Sequence, residues 1–407
     1  MRCCIIGAGM QGAVTASMLA RDLEEHEIVL CDADLERARR VADHIGCERL
    51  STARVEATDV ASMAAAARGS DVVLDLLFFD YAANVRRAAL AAGCHYVDSA
   101  SDARFQHDVA FAHRVADDEA FREAGLSAVV SCGWAPGVTN VLARLAADQL
   151  DEVDALDIRL GFDKALWVDA AEIAHPFRPH ASPEVILADY AAPALHFTGG
   201  RPTRVPPFSI PELYEFGGRI GELLITSHDH DEPYTLPMFI GKGMKECSFR
   251  YPVNDQAATF VAMGMADPER VVELADGTRV KPFDVLVAVT AHPADQTLFG
   301  ETPEALAAAR DVDRAMVVEV AGRREGRERR VRIVWYLKDD AELRTGLHER
   351  FGSAQILVVL PVVGAAKTIL RGEVQPGVLL PEQLDPRRFL DDLVAAGYPL
   401  HYEMTVV

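Results

Sequence analysis

The sequence has no long uninterrupted apolar segment, and it has few basic residues for its acidic content. Its most apolar stretch, residues 354–370, is interrupted by Pro361 and Lys367, whereas a membrane helix needs about 20 apolar residues. Lys and Arg number 41 against 62 Asp and Glu, a net charge of −21. Nucleic-acid backbones bind basic surfaces. We therefore expect neither a membrane span nor a nucleic-acid partner.

Cysteine is also used sparingly, and its pattern excludes two common roles. The seven cysteines include no Cys-x-x-Cys pair and no spacing typical of a metal site. Most lie in or beside apolar runs, which indicates buried small side chains. The N-terminus resembles a strand rather than a secretion signal. We expect a reduced, cytoplasmic protein.

The chain opens with a glycine-rich turn between an apolar run and a helical segment. Gly7, Gly9 and Gly12 form the pattern G-x-G-x-x-G after residues 1–6. In this pattern Gly7 permits a tight turn, Gly9 admits a pyrophosphate, and Gly12 allows close packing of helix and strand. A helix N-terminus attracts phosphate through its free N–H groups. The order of these parts predicts a dinucleotide site.

An acidic residue completes this candidate site. Asp32 ends the next apolar run, 20 residues after Gly12, where a carboxylate can bind a ribose 2′-hydroxyl. Met10 and Gln11, within the turn, are also predicted to contact the cofactor. A carboxylate repels the 2′-phosphate of NADP, so we expect NAD to be preferred. The basic residues that would reverse this preference by turning toward the ribose are Arg37, Arg39 and Arg40.

Apolar runs alternate with helical segments up to residue 131, which predicts a doubly wound parallel sheet of the Rossmann type. Ligands bind beyond the carboxyl ends of such strands. Three predicted strand ends are therefore candidate sites, at residues 77–81, 98–101 and 132–140. The residues singled out there are Leu77, Phe78 and Ser99 for the cofactor, Tyr81, Cys132, Trp134 and Asn140 for the substrate, and Asp98 for catalysis.

After residue 140 the pattern changes to shorter, alternating segments. Residues 315–321 and 331–337 flank a turn at 322–326, which predicts a β-hairpin with one buried face. Residues 174–211 are rich in Pro, His and aromatic side chains, and we expect a covering segment with little regular structure. The block predicts an α+β domain with a mostly antiparallel sheet.

Several motifs, taken together, resemble one family. They are the glycine turn with Asp32, CHYVDSA at 94–100, CGWAPGVTN at 132–140, HDEPYTLP at 230–237, FRYP at 249–252 and GVLLPEQLDPRRFL at 377–390. In this order they resemble the saccharopine dehydrogenase-like family, which includes saccharopine-forming reductases, lysine 6-dehydrogenases and carboxynorspermidine dehydrogenases. The resemblance implies a dinucleotide domain at 1–135 completed by 350–407, and a substrate and dimerisation domain at 136–349.

The chemistry of the implied reactions suggests roles for a few polar residues. Oxidation of an amine carbon needs a proton acceptor and a group that orients the substrate. Asp98 is the acid–base or amine-anchoring candidate, with a helix N-cap as the alternative. Arg250 is the candidate carboxylate clamp, and Lys242 is a weaker one. Phe78 and Tyr81 would flank the nicotinamide ring or pack in the core.

Two further residues have alternative interpretations. Cys132 is interpreted as lining the site, because the implied chemistry needs no nucleophile. Asn140 either caps the following helix or contacts substrate. The run from His228 to Asp231 (HDHD) resembles a metal cluster, but it overlaps a family segment, and we expect a polar turn and no metal.

The sequence thus supports three functional hypotheses. The first is an NAD(P)-dependent oxidoreductase acting on the CH–NH bond of an amino acid or its imine, resembling lysine 6-dehydrogenase or saccharopine dehydrogenase, as a homodimer. The second is a carboxynorspermidine dehydrogenase-type reductase of a polyamine Schiff base. The third is a dinucleotide-binding sensor without turnover.

Overall fold

A computed structural model of the chain describes residues 1–22, 26–100, 107–163, 182–253, 255–290 and 299–407. The chain forms two compact units. The first comprises Met1–Leu145, Thr297–Ala307 and Glu342–Leu400, and the second comprises Ala146–Gln296, Ala308–Ala341 and His401–Val407. Residues 136–145 therefore lie in the first unit and 401–407 in the second, whereas the sequence-based division had assigned them the other way round.

The first unit is built on a seven-stranded sheet. Numbered along the chain, its strands are β1 (Arg2–Ile6), β2 (Glu27–Asp32), β3 (Leu50–Arg54), β4 (Val72–Asp75), β5 (His95–Asp98), β6 (Ser127–Val129) and β17 (Gly377–Leu379). Their order is β17-β6-β5-β4-β1-β2-β3, and each neighbouring pair is parallel. The strand order reverses between β1 and β4, which is the place where such sheets bind ligands. The predicted Rossmann-type sheet is confirmed.

Ten helices accompany this sheet in the described part of the chain. They are α1 (Met10–Arg21), α2 (Leu35–Ile45), α3 (Val60–Ala67), α4 (Ala82–Ala92), α5 (His107–Glu123), α6 (Val138–Ala147), α11 (Pro303–Ala308), α12 (Ala341–Phe351), α13 (Val359–Leu370) and α14 (Pro386–Ala396). Asp34 and Asp59 cap α2 and α3 by accepting a backbone N–H from the first turn. Helix α13 has Pro361 in its first turn, where a missing N–H costs little.

The strands of the first sheet are buried on both faces. Ile5, Leu30 and Leu74 have no exposed surface, as expected when helices cover a parallel sheet on both sides. Cys3 and Cys4 are equally buried, and all seven cysteines are free thiols. The interpretation of these strand cysteines as small apolar core residues is confirmed.

The second unit is built on a nine-stranded sheet. Its strands are β7 (Glu152–Phe162), β8 (Ala194–Thr198), β9 (Arg201–Val205), β10 (Glu212–Glu215), β11 (Glu222–Ser227), β12 (Glu246–Tyr251), β15 (Val312–Arg324), β16 (Arg327–Asp339) and β18 (Tyr402–Val406). The main order is β10-β11-β12-β7-β15-β16-β18, with β8 beside β12 and β9 beside β8. Strands β7 and β12 pair in parallel and the other pairs are antiparallel. This confirms the predicted mostly antiparallel sheet.

The predicted hairpin is present with a tighter turn. Strands β15 and β16 are joined by two residues, Glu325 and Gly326, whose φ angles are 53° and 72°. Two consecutive residues with positive φ form the type of turn that suits the twist of antiparallel strands. The pairing therefore extends through most of the segment that the sequence had assigned to the turn.

The remaining elements of the second unit are short. They are helices α7 (Pro183–Ala191), α8 (Glu232–Ile240), α9 (Asp255–Ala262) and α10 (Pro282–Val289) and the small ribbon of β13 (Val272–Glu273) and β14 (Arg279–Val280). No helix in the described ranges is long and apolar enough to cross a bilayer.

The expectation of little regular structure at 174–211 is wrong for 183–205, which form α7, β8 and β9; residues 174–181 lie outside the described residues. Two of the prolines that suggested irregular structure lie inside these elements, at positions that tolerate proline. Pro183 is at the start of α7, where proline is favoured. Pro202 is in β9, which pairs only with β8, so that it occupies an edge strand, where proline is tolerated.

Candidate functional site

The glycine turn between β1 and α1 is packed so tightly that two of its positions exclude a side chain. Gly7 has φ +104°, and a Cβ atom there would lie 2.9 Å from the carbonyl oxygen of Leu76. A Cβ at Gly12 would lie 1.7 Å from the carbonyl oxygen of Gly7. The turn thus folds back on itself as the dinucleotide pattern requires.

The third glycine of the turn faces open space. Among the described residues, no atom lies within 4 Å of a Cβ built on Gly9. Gly9 is the N-cap of α1 and supplies no side-chain cap, and its carbonyl accepts the first helical hydrogen bond from Ala13 N (2.9 Å). Gln11 Oε1 is buried and has no hydrogen-bond partner in the described part of the chain. The backbone N–H groups at the N-terminus of α1, at Met10 and Gln11, therefore adjoin the open space that a phosphate needs.

Asp32 lies at the end of β2, beside this turn, and also holds it in place. Its Oδ2 accepts a hydrogen bond from Ala8 N (2.7 Å) and its Oδ1 accepts one from Asp34 N (2.8 Å). A carboxylate oxygen has more than one acceptor position, so these bonds leave acceptor capacity for a ribose hydroxyl. The residue fits the predicted cofactor role and adds a structural one.

A cation that the sequence did not reveal lies beside Asp32. Arg54 is its partner in the β2–β3 register, and the Arg54 guanidinium donates to Ala33 O (3.2 Å) and Glu56 Oε1 (2.6 Å). The pairing of β3 with β2 cannot be read from the sequence of either strand. The sequence therefore indicated only the arginines of α2, which are nearer to Asp32 along the chain. Arg54 adds a group that a 2′-phosphate could engage.

The residues after β4 lie next to the glycine turn. Leu77 N donates to Asp75 Oδ1 (3.1 Å), and the Leu77 side chain approaches Gly7. Phe78 stacks on Phe79 with ring centres 4.4 Å apart. Tyr81 is 37% exposed. Leu77 is thus placed beside the turn, whereas Phe78 has an aromatic neighbour within its own segment.

Asp98, the candidate acid–base residue, belongs to a buried polar cluster. Its Oδ1 accepts a hydrogen bond from Ser131 N (2.5 Å). The Tyr96 hydroxyl lies 2.8 Å from both Asp98 Oδ2 and Asp75 Oδ2. Burial, and then the neighbouring Asp75 carboxylate, raise the pKa of Asp98 well above its usual value. Clusters of this kind are found at functional sites.

The sequence analysis named Asp98 but missed Asp75 and Tyr96. One clue was available: Asp75 interrupts the apolar run DVVLDLL at 71–77, and an acid in a buried strand is rare without a partner. Tyr96 lies two residues before Asp98 and so shares its face of β5. The pairing of β4 with β5 brings the three together.

The loop after β6 packs against the end of β5. Cys132 N donates to Asp98 O (3.0 Å), and burial raises the pKa of the Cys132 thiol, so this cysteine is poorly suited to act as a nucleophile. A Cβ at Gly133 would lie 2.9 Å from the carbonyl oxygen of Ser99. Trp134 is half-buried in the same loop. Ser99 and Trp134 are therefore brought to the same sheet edge as Asp98.

Asn140 is used within the protein. Its Oδ1 accepts a hydrogen bond from Gly137 N (2.9 Å), and its Nδ2 donates to Glu382 Oε2 (3.0 Å). It thus ties the loop to the buried Glu382 of the PEQLDP segment. Asn140 lies in the first turn of α6 and does not precede that helix, so that neither the predicted cap nor the predicted substrate contact describes its position.

The two predicted substrate cations of the second unit are also engaged. Lys242 Nζ donates to Ala147 O and Leu150 O (2.9 Å each) and lies 3.5 Å from Asp148 Oδ1. An ammonium has three N–H groups, so all of them are accounted for. This arrangement stabilises the C-terminal end of α6 and favours a structural role for Lys242 over the predicted substrate contact.

Arg250 lies in a network of opposite charges. Its Nη1 is 3.1 Å from Glu212 Oε2 and 3.5 Å from Asp157 Oδ1. Arg159, its register partner on β7, pairs with Glu212 and with Glu319 (2.9 Å). Arg250 is therefore balanced by carboxylates rather than held ready for one. Of the side-chain nitrogens of Arg250, Nε is the one that is buried and has no hydrogen-bond partner in the described residues.

The segment from His228 to Asp231 packs on β12. His228 stacks on Tyr251 with ring centres 3.5 Å apart, and His230 stacks on Phe249 at 3.8 Å. Both histidines thus face the same side of β12, and His230 Nδ1 lies 2.5 Å from Glu232 Oε2. Within the described ranges, no group of three or more His, Cys, Asp or Glu side chains is arranged to hold a metal ion.

Comparisons with known proteins agree with this geometry. Residues 3–133 match a family model described as the saccharopine dehydrogenase NADP binding domain. A carboxyaminopropylagmatine dehydrogenase from Synechocystis sp. is 24% identical over 98% of this chain and 96% of its own length. A carboxynorspermidine synthase from Vibrio cholerae is 28% identical over 68% of this chain and 63% of that protein. The match covers less than two thirds of this relative and of its Vibrio alginolyticus counterpart (64%).

Two solved structures share the fold along almost the whole chain. The saccharopine dehydrogenase (L-Glu forming) of Saccharomyces cerevisiae has a TM-score of 0.68 at 13% identity, covering 100% of this chain and 99% of that one. The homospermidine synthase of Legionella pneumophila, in complex with NAD, has a TM-score of 0.67 at 11% identity, covering 99% and 91%. At these identities the likeness concerns the fold alone. This chain is thus similar to the saccharopine dehydrogenase NADP binding domain over residues 3–133 and to the Synechocystis dehydrogenase over almost its whole length.

Proposed function

We propose that this chain is a nicotinamide dinucleotide-dependent oxidoreductase that acts on the carbon–nitrogen bond of an amine or its imine. The observation that carries the proposal is the glycine turn, in which Gly7 and Gly12 close the backbone while the space at Gly9 stays open. The cluster of Asp75, Tyr96 and Asp98 lies at the carboxyl ends of β4 and β5. This is the edge of the sheet at which such folds bind their ligands. When bound, the cofactor would supply or accept a hydride.

The roles of individual residues follow from their positions. The N-terminus of α1 at Met10 and Gln11 would bind the pyrophosphate, and Asp32 would bind the ribose. We propose NAD as the preferred cofactor, because the buried Asp32 carboxylate opposes a 2′-phosphate; Arg54 is the group that would weaken this preference. Asp98 would exchange the proton that accompanies hydride transfer.

For the substrate we favour a Schiff base of a polyamine-like amine that carries a carboxylate. The relatives that support this choice are named for carboxynorspermidine and carboxyaminopropylagmatine. The balanced charge around Arg250 also speaks against a dedicated clamp for a simple amino acid. An activity of the lysine 6-dehydrogenase or saccharopine dehydrogenase type is the competing candidate.

We further propose a homodimer in the cytoplasm. Leu213 and Leu224 are partners across β10 and β11 and are 66% and 54% exposed, an apolar pair at the sheet edge that a second copy would cover. Sedimentation velocity of the wild type and of the double variant L213K/L224K tests this, with V289K as an exposed control. A monomeric wild type, or a dimer unaffected by the double change, would contradict it.

The test of the activity is a substrate panel followed by absorbance of the reduced nicotinamide. Mixtures of a diamine, a triamine or agmatine with an amino-acid semialdehyde are tested in the reducing direction, and lysine and saccharopine in the oxidising one. We expect turnover with an amine–semialdehyde pair and a loss of at least 100-fold in kcat for D98N, with NAD binding retained. D59N, at the exposed cap of α3, serves as the control.

Two results would decide against the proposal. Turnover with lysine or saccharopine alone would favour the competing activity. Binding of NAD without turnover in any mixture would favour a sensor that binds the dinucleotide and performs no hydride transfer.

A further inference from the structure

Three oxygen atoms form a chain between the ends of β4 and β5. Tyr96 Oη lies 2.8 Å from Asp75 Oδ2 and 2.8 Å from Asp98 Oδ2, both normal hydrogen-bond lengths. A tyrosine hydroxyl has a single hydrogen, so Tyr96 can donate to one carboxyl group and must accept from the other. A second hydrogen on Asp75 or Asp98 would satisfy the other contact and would leave the three residues with one negative charge.

The fold enforces this arrangement. Asp75 and Asp98 are partners in the parallel β4–β5 pairing, and Tyr96 lies on the same face as Asp98. All three residues are buried. Two ionised carboxylates in such a place would repel each other and would both lose their hydration. Sharing one proton removes most of that cost.

The remaining carboxyl oxygens are held by the backbone. Asp75 Oδ1 accepts from Leu77 N (3.1 Å) and Asp98 Oδ1 accepts from Ser131 N (2.5 Å). Each acid therefore has one backbone donor, which fixes its orientation. Leu77 and Ser131 belong to the two loops that follow β4 and β6, so that the cluster is anchored to the strand ends where the reaction is proposed.

In the described part of the chain, a cation lies near Tyr96 and has a carboxylate partner of its own. The Arg86 guanidinium of α4 lies 5.9 Å from the centre of the Tyr96 ring, and its Nε donates to Asp117 Oδ2 of α5 at 2.8 Å. Its charge is thus balanced by Asp117. Its charge lowers the pKa of Tyr96 and of Asp98, and so opposes the effects of burial and of Asp75.

Among the described residues, two further ionisable groups lie in the loop after β6 and in the PEQLDP segment. The charges of Asp98 and Glu382 both contribute to the raised pKa of the Cys132 thiol, which places both near that side chain. Glu382 is itself buried and accepts from Asn140.

We propose that Asp75 and Tyr96 are positioning residues that keep one proton on the Asp75–Asp98 pair, and that Asp98 exchanges this proton with the substrate nitrogen. The proposal rests on the function proposed above. In the reducing direction the imine carbon gains the hydride of the reduced nicotinamide and the nitrogen gains the proton of Asp98, which is left as a carboxylate. A proton from solvent then restores the pair; in the oxidising direction the same transfers are reversed.

Infrared spectroscopy tests the shared proton without any substrate. A protonated carboxyl group has a C=O stretching band above the amide I band. We expect the difference between wild type and D75N at pH 7 to show the loss of one such band, because Asp98 without its like-charged partner ionises at lower pH. D98N should lose the same band, whereas D59N should not. Subtracting the spectrum of each variant from that of the wild type removes the bands of other buried acids.

The pH dependence of turnover tests the role of the proton. Reduction needs the protonated pair, so the activity should fall at high pH, which gives the pH–rate profile an alkaline limb. In D75N the midpoint of this limb should lie at least one pH unit lower. If D75N fails to fold, Y96F should shift the carboxyl band to higher frequency, because the hydrogen bond from the acid to the hydroxyl is lost. An unchanged band and an unchanged limb in the folded variants would overturn the proposal.

The proposed function and the proposed shared proton can be refuted independently. If no amine mixture gives turnover, the proposed function is wrong, and the infrared result still decides whether the proton is shared. If turnover is found and D75N lowers it equally at every pH without loss of the band, Asp75 is merely structural and only the positioning role is refuted.

Discussion

A Cβ atom on Gly12 would lie 1.7 Å from the carbonyl oxygen of Gly7, so these two residues touch through their backbones. We expect Gly12→Ala to lower the free energy of unfolding of the first unit by about 3 kcal/mol, because the turn or the helix must move to admit the methyl group. Chemical denaturation of the full chain measures this. A variant as stable as the wild type would show that the turn is not packed in this way.

Gly9→Ala is the matched variant in the same turn. Gly9 has φ −72°, which alanine adopts readily, and no described atom lies near the added methyl group. We expect a change in stability of less than about 1 kcal/mol and a loss of at least tenfold in dinucleotide affinity, because the methyl group would enter the space left for the pyrophosphate. Calorimetric titration measures the affinity. Unchanged affinity would place the phosphates elsewhere.

The turn was predictable because its parts are adjacent in the sequence. Gly7, Gly9, Gly12 and Asp32 occupy fixed spacings that one strand–helix–strand unit brings together, and no distant contact is needed. The alternation of apolar and helical segments likewise predicted the parallel sheet. In both cases local periodicity carries the information.

The contacts that sequence reasoning did not foresee depend on partners far along the chain. Asp75 meets Tyr96 only through the register of β4 and β5. Arg250 is neutralised by Asp157 and Glu212, which are distant in sequence, so it looked like a free cation. Register and side-chain pairing are set by the assembled sheet, and one sequence does not contain them explicitly.

Asp32 determines the predicted cofactor preference. We expect Asp32→Asn to keep the hydrogen bond from Ala8 N while removing the charge that would face a 2′-phosphate. The ratio of NADP to NAD affinity should rise by at least tenfold, or about 1.4 kcal/mol, in calorimetric titrations with both cofactors. Arg54→Ala is the companion variant, which should weaken NADP binding selectively. A ratio unchanged by Asp32→Asn would remove the basis for preferring NAD.

Asp189 should make the stability of the protein depend on pH. Burial raises the pKa of Asp189 to about 7, above its value in the unfolded chain of about 3.9. A group whose pKa is raised by folding contributes its full stabilisation below the pKa of the unfolded chain. This contribution is lost as the pH rises through the pKa of the folded state. We therefore expect the free energy of unfolding to fall between pH 5 and pH 8, by about 2 kcal/mol more in the wild type than in Asp189→Asn.

Urea unfolding at pH 5, 6, 7 and 8 measures this difference. Asparagine can still accept the hydrogen bond that Tyr251 donates to Asp189, so packing is preserved. Burial lowers the pKa of His228 to about 3, which has the opposite effect at acidic pH. Because His228 Nδ1 lies 3.9 Å from Asp189 Oδ2, this contribution changes with the substitution, and the comparison is made from pH 5 upward, well above the pKa of His228. Asp267→Asn, at an exposed position, is the control. Equal pH profiles for the wild type and Asp189→Asn would contradict the assignment.

Arg250 allows a structural role to be separated from a substrate contact. Its side chain is largely buried between the partly exposed Glu212 and Asp157, so Arg250→Ala leaves two carboxylates with less compensation. We expect a loss of about 1–2 kcal/mol in the free energy of unfolding, less than for a fully buried pair because solvent screens these acids. If Arg250 serves only this network, KM for a carboxylated substrate should change by less than threefold. A rise in KM of tenfold or more, with Arg332→Ala as a control from the same network, would instead establish it as the carboxylate clamp.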